Sequence, residues 1–212
     1  CGASADDAEP ETRDFGPVTG RLTIAKDNGD LTVRPADVGE VRVTRRFDRW
    51  SVIGGRPTAT WELRGNRLTL ATDCGTFIGG CEVRYEVVVP QDLALDVQGQ
   101  NGRITVTGAS GPLSLKTENG TLHANGTRSG RVDATSENGE VDLAFAAVPD
   151  QVDVTTDNGA VTIAVPDAAY RVTTASDNGD VSAALPSDDR STRRINVRTA
   201  NGSITLRTAD SG

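Results

Sequence analysis

Residues 131–165 read RVDATSENGEVDLAFAAVPDQVDVTTDNGAVTIAV. Two Asn-Gly pairs, Asn138-Gly139 and Asn158-Gly159, stand 20 residues apart, each flanked by apolar residues at alternate positions. Val132, Ala134, Val141 and Leu143 surround the first; Val152, Val154, Val161 and Ile163 surround the second. Alternation with period 2 on both sides of a turn dipeptide predicts two short strands, apolar on one face.

The register extends outward to seven Asn-Gly pairs: Asn28-Gly29, Asn101-Gly102, Asn119-Gly120, Asn138-Gly139, Asn158-Gly159, Asn178-Gly179 and Asn201-Gly202. From Asn101 onward the spacings are 18, 19, 20, 20 and 23 residues. Six residues before each Asn stand Leu22, Leu95, Leu113, Val132, Val152, Val172 and Ile195. Three after it stand Leu31, Ile104, Leu122, Val141, Val161, Val181 and Ile204. The columns four before and five after are apolar as well, except Thr174.

Two all-β architectures fit. Asn-Gly is either the corner of a β-solenoid, with equal columns stacked coil on coil, or a type I′ hairpin turn in a β-sandwich or meander. A meander leaves an apolar sheet face in need of a cover, and no amphipathic helix is legible to supply one. The solenoid predicts Val161 beside Val141 and Val181; the hairpin predicts it opposite Thr156. The solenoid also places the acidic residues before the Asn, among them Glu118, Glu137, Asp157 and Asp177, along one solvated edge. They do not match the nine-residue calcium repeat, so no metal and no cofactor is expected.

Residues 15–92 keep strand character without the clean period and read as an irregular capping part of one domain, 15–212, whose regular repeats fill 93–212. Gly65-Asn66, with Leu68 and Leu70 after it, reads as a degenerate repeat. Six of the eight aromatics lie here: Phe15, Phe47, Trp50, Trp61, Phe77 and Tyr85. Arg45, Arg46, Phe47, Arg49, Trp50 and Arg56 put guanidinium groups beside aromatic rings, a combination suited to sugars, anionic wall polymers or lipid headgroups.

The chain has 212 residues, a formal charge of -8 and no apolar run near the 18 residues a membrane helix needs. That charge speaks against phosphate-mediated nucleic-acid binding. The sequence starts at Cys1, and residues 1–14 carry no aliphatic branched residue or Leu, so a polar, disordered tether is expected there. Cys74 and Cys81, the other cysteines, are expected to pair as a disulfide in an oxidising compartment. Twenty Arg against two Lys points to a GC-rich, actinobacterial source. His123 falls between inward Leu122 and Ala124 and is expected to face solvent. No serine-hydrolase elbow, phosphate loop or zinc-protease motif is present, and no catalytic residue is assigned.

A leading Cys-Gly, a polar tether and the repeated (Asp/Glu/Gln)-Asn-Gly-x-(Val/Ile/Leu)-x-(Val/Leu) register resemble an adhesin-like, β-strand-repeat lipoprotein family of bacterial envelopes, a domain family of unknown function. The resemblance covers about residues 15–210. It implies a right-handed β-helix-like fold on the outer face of the cell membrane, anchored by lipid on Cys1 after removal of a signal peptide. It also implies a non-enzymatic scaffold that binds a surface protein, glycan or wall polymer. The rival readings are a carbohydrate-active β-helix enzyme, which would need one groove with converging Asp, Arg and aromatic side chains, and a partner of an envelope-stress regulator.

Overall fold

The computed structural model describes residues 8–54, 57–74 and 77–209. The strands are β1 Pro10–Asp14, β2 Arg21–Lys26, β3 Asp30–Ala36, β4 Arg42–Gly54, β5 Thr58–Arg64, β6 Arg67–Asp73, β7 Phe77–Pro90, β8 Ala94–Asn101, β9 Ile104–Thr107, β10 Leu113–Asn119, β11 Leu122–Thr127, β12 Arg131–Asn138, β13 Val141–Phe145, β14 Gln151–Asn158, β15 Val161–Val165, β16 Arg171–Asn178, β17 Val181–Ala184, β18 Arg194–Asn201 and β19 Ile204–Thr208. Among the described residues there is no helix.

Each of the seven in-register Asn-Gly corners joins a strand of one sheet to a strand of the other, and the strands flanking it pair in parallel with their equivalents in an adjacent coil. Asn119 aligns with Asn101 and Asn138, and Val141 with Leu122 and Val161. This is a two-sheet β-solenoid. Val161 does not oppose Thr156, and no Asn takes the positive φ that a type I′ turn demands; Asp92 is the sole described non-glycine with φ above zero. The repeat columns face inward: Leu22, Ile24, Leu31, Val33, Val132, Val152, Val161 and Ile163 are fully enclosed, in one apolar cluster running from Val18 to Leu206.

Chain order is not stacking order. In one sheet the strands run β1-β4-β7-β3-β9-β11-β13-β15-β19-β17, and in the other β16-β18-β14-β12-β10-β8-β2-β6-β5. Val161 therefore lies between Val141 and Ile204, not between Val141 and Val181. The last coil, β18/β19, inserts between β14/β15 and β16/β17. Its inward residues Ile195, Val197, Ile204 and Leu206 are buried, whereas the displaced coil offers Thr174 and Ala183 in those columns. Placing the more apolar coil inside removes more hydrocarbon from water. At the other end, the Asn28 coil sits directly on the Asn101 coil, 73 residues later in sequence.

The N-terminal end departs from the repeat. β5 and β6 form an antiparallel hairpin whose turn is Gly65-Asn66, with Gly65 at φ 57°. Leu68 aligns with Ile24, so β6 is the strand before a corner, and Gly65-Asn66 is no corner at all. Residues 10–14, expected within a disordered tether, form β1 against β4. Its side chains are all exposed, and the backbone ladder, an Arg42–Asp14 ion pair at 2.6 Å and an Arg45–Glu11 pair hold it in place of apolar burial. An eighth Asn-Gly, Asn125-Gly126, lies out of register at an irregularity of β11, with Gly126 at φ 59°.

Candidate functional site

The corners form one continuous edge. Asn178 donates from Nδ2 to Oδ1 of Asn201, and the relay continues through Asn158, Asn138, Asn119 and Asn101 to Asn28, with distances of 2.9–3.4 Å. Every amide points the same way along the axis. Beside them the glycines pass so close that a Cβ at Gly120, Gly139, Gly159, Gly179 or Gly202 would collide with the carbonyl oxygen of the adjacent coil's glycine. Close approach thus requires glycine even at Gly159, whose φ lies outside the left-handed region.

Behind the Asn runs a buried polar column. Thr117, Ser136, Thr156 and Thr199 are nearly fully enclosed, two residues before their Asn. Thr199 donates to Gly159 O at 3.3 Å and Ser176 to Gly202 O at 2.9 Å. In the Asn28 coil this place is taken by Lys26, also buried, whose Nζ donates to Gly29 O at 2.6 Å and Asn101 O at 2.5 Å. Gly99 makes room for it: a Cβ there would stand 3.0 Å from Lys26 Cε. Burial pulls the Lys26 amine down to about 8, against the raising influence of Asp30 and Asp27. Period 2 assigns this column inward, yet its polar identity hid it among the surface residues.

The acidic edge is shorter than expected. Glu118, Glu137 and Asp157 occupy adjacent coils, but Ala200 of the inserted coil separates Asp157 from Asp177. Asp27 accepts from the backbone N–H of Asn28 at 2.6 Å and of Thr72 at 2.9 Å. No cluster of three or more metal-ligating side chains is present among the described residues. His123 faces outward half-buried, 3.3 Å from Asp142 and 2.7 Å from the Asn125 amide.

Arg45, Arg46 and Phe47 all make contacts within the chain. The Arg45 guanidinium stacks over Trp61 at 4.4 Å and bonds Ala59 O and Glu11, while Trp61 meets Phe15 edge-on at 6.2 Å. Arg46 donates to Ala8 O at 3.1 Å, and Phe47 packs on the core. These residues close the N-terminal end. The side chains of Arg49 and Trp50, all of Arg56, and Cys1 lie outside the described residues. Cys74 and Cys81 are joined by a disulfide, Cα atoms 5.8 Å apart.

Three concavities stand out on the surface of the described residues, the smallest of them, about 230 Å³, lying among Thr32, Thr44, Arg46, Arg84 and Glu86. The largest of the three, about 530 Å³, crosses the outer side of β6, β2, β8 and β10, with Ala25 and Ala71 among its lining residues beside Gln98, Gln100, Lys116 and Glu118. The third, about 510 Å³, lies at the opposite corners among Arg34, Gln91, Asp92, Ser110 and Arg128; Ser110 there donates to Asp92 at 2.7 Å.

A parallel two-sheet solenoid with repeated outward columns is a β-repeat scaffold. The chain belongs to the Toastrack DUF4097 family, whose model matches residues 82–210. Among solved structures it is similar to a protein of Clostridium sporogenes provisionally described as a cell adhesion protein (11% identity, 95% of this chain, 99% of that one, TM-score 0.47). It is similar also to a provisionally described adhesin of Bacteroides fragilis (10%, 95% and 97%, TM-score 0.41). A third is a provisionally described lipid-binding protein of Parabacteroides distasonis (12%, 96% and 98%, TM-score 0.32). No curated protein matches the chain.

Proposed function

We propose that this chain is an adhesin-like, extracytoplasmic scaffold that binds an extended surface partner, a protein, glycan or wall polymer, through the outer faces of its sheets. The observation that carries the reading is repetition: the same outward positions recur at every coil, roughly every 4.8 Å. An extended polymer meets equivalent contacts along such a lattice, whereas catalysis calls for one converging constellation. The Cys74–Cys81 disulfide supports an oxidising compartment. In the anchored form of this reading Cys1 carries the lipid, and the faces stand clear of the membrane.

The test is binding of the purified full chain to isolated cell-wall material and to cell-surface glycans. Retention that falls when Gln98, Gln100 and Lys116 are changed to Ala together supports the reading; retention unaffected by changes on either face ends it. Mass spectrometry of the native N-terminal peptide checks the anchor, with a diacylglyceryl mass on Cys1 expected and a free Cys1 refuting it.

A further inference from the structure

The corners opposite the Asn-Gly edge are irregular where the chain changes coil. β7 lies on one side of β3 and β9 on the other, so Gln91 and Asp92, between β7 and β8, carry the chain past the Asn28 coil. Asp92 takes φ 60° there, in the left-handed region that Asp enters more readily than most residues. Its backbone N–H donates to Ser110 Oγ at 3.3 Å, and Ser110 Oγ donates to Asp92 Oδ1 at 2.7 Å. This exchange fixes the carboxylate at the 510 Å³ concavity and leaves Oδ2 without a hydrogen bond among the described residues.

Two guanidinium groups line the same concavity. Arg34 stands outward on β3, one step beyond the Val33↔Val106 pair and so beside Thr107. Its Nε donates to Glu86 at 2.8 Å, which leaves the two terminal nitrogens to the concavity. Arg128 is exposed, and its side chain has no partner among the described residues. The backbone holds it in place, since the Arg128 N–H donates to Ala109 O at 2.7 Å.

Three kinds of ligand can be weighed against this lining. A free phosphate or sulfate would meet the Asp92 carboxylate, a like charge. A neutral sugar would engage Asp92, Gln91 and Thr107 but leave both guanidiniums unused. A sugar ring that carries a carboxylate engages both sets. A guanidinium takes a carboxylate through two parallel hydrogen bonds, and a carboxylate or amide oxygen accepts from hydroxyls. The volume of about 510 Å³ is ordinary for a small-ligand site.

We propose that this corner binds an acidic sugar residue, a hexuronate, with its carboxylate on Arg34 and Arg128 and its hydroxyls on Asp92, Gln91 and Thr107. The inference rests on the proposed function in taking a glycan as partner, but it places the contact at a corner and not on a sheet face.

The experiment is isothermal titration of the full chain with three tetrasaccharides: tetragalacturonate, tetramannuronate and a hyaluronan tetramer. Their methyl esters and inorganic phosphate are the controls. Binding of at least one acidic tetrasaccharide is expected, weakened by about tenfold or more by methyl esterification and by Arg128→Gln. Asp92→Asn, which suits the left-handed backbone, should weaken sugar binding about fivefold and leave phosphate binding no weaker. Failure of all three sugars, equal binding of the esters or unchanged affinity in Arg128→Gln overturns the proposal. So does phosphate binding tighter than any of the sugars, which marks a simple anion site. Sugar binding that survives changing Gln98, Gln100 and Lys116 to Ala but falls in Arg128→Gln supports the corner whatever the faces do. Binding lost in the triple variant and kept in Arg128→Gln overturns the corner and retains the face.

Discussion

The two ends of the solenoid close the same core by opposite means. At the N-terminal end the chain abandons parallel coils for antiparallel strands and large side chains. Phe15, Trp61 and Phe47 cover the last Leu and Val columns, with Arg45 laid over the Trp61 ring. At the β16/β17 end no separate cap is found among the described residues. The coil β16/β17 keeps the repeat geometry and simply weakens it, with Thr174 and Ala183 in core columns and Val181 46% exposed. A solenoid end can thus be sealed with bulk or thinned until little hydrocarbon remains to cover.

The largest effect should come from testing which coil is the end. Ile204 and Val181 share a column in neighbouring coils, fully buried in one and 46% exposed in the other. Ile204→Asp should cost about 4 kcal/mol in urea unfolding, because it buries an unpaired charge. Val181→Asp should cost under about 1 kcal/mol. Equal costs, or the reverse order, would restore the sequential stack. Thr162→Asp, outward on the same sheet as Val161, serves as a control with little change expected.

Next come the two kinds of turn. Gly159→Val drives a side chain into the Gly139 carbonyl and should cost about 3 kcal/mol. Gly65→Ala, in the cap hairpin at φ 57° with open space around it, should cost only about 1 kcal/mol. Thermal unfolding of both would show whether the corner is limited by crowding or by backbone conformation.

At the N-terminal end, Trp61→Ala should lose about 2 kcal/mol, since the ring is partly buried and supports both Phe15 and Arg45. No substitution of similar size in the thinned coil β16/β17 should match it.

The smallest effect is a pH dependence confined to the Asn28 coil. The Lys26 pKa is depressed by burial, so between its folded value of about 8 and its ordinary 10.5 the unfolded chain holds the extra proton. Stability should therefore rise with pH across that window, by about 1 kcal/mol once water access is allowed for. Lys26→Met should abolish the rise. Above it, Tyr85 and Tyr170 act in the opposite sense, because burial raises their phenols and the unfolded chain ionises first.

Four columns around each Asn-Gly made the strands and their inward faces legible, since period 2 fixes the face, and they left two packings open, stacked coils or hairpins. Stacking order was hidden because the seven in-register Asn-Gly pairs look alike locally. The available signal was Thr174 and Ala183, the weakest members of their columns. The hydroxyl column and Lys26 obeyed the alternation, but a Thr, Ser or Lys in a strand is normally assigned to water. β1 left no apolar trace because ion pairs and a backbone ladder to β4 hold it. The Arg45–Trp61 pair was visible only in part: the Arg stood in the basic-aromatic run, while its ring came from a distant strand.

The inserted coil also has a consequence in time. During synthesis from the N-terminus, residues 171–184 are made before 194–208, when the free edge of β14 and β15 is the only parallel template available to them. Where the earlier coil docks on that edge first, native order requires a strand exchange in which the later coil takes the edge and the earlier one moves out. A slow, late phase should follow rapid formation of the central stack during refolding. Chains ending before Arg194 should protect the β16 amides from hydrogen exchange by pairing them to β14 itself.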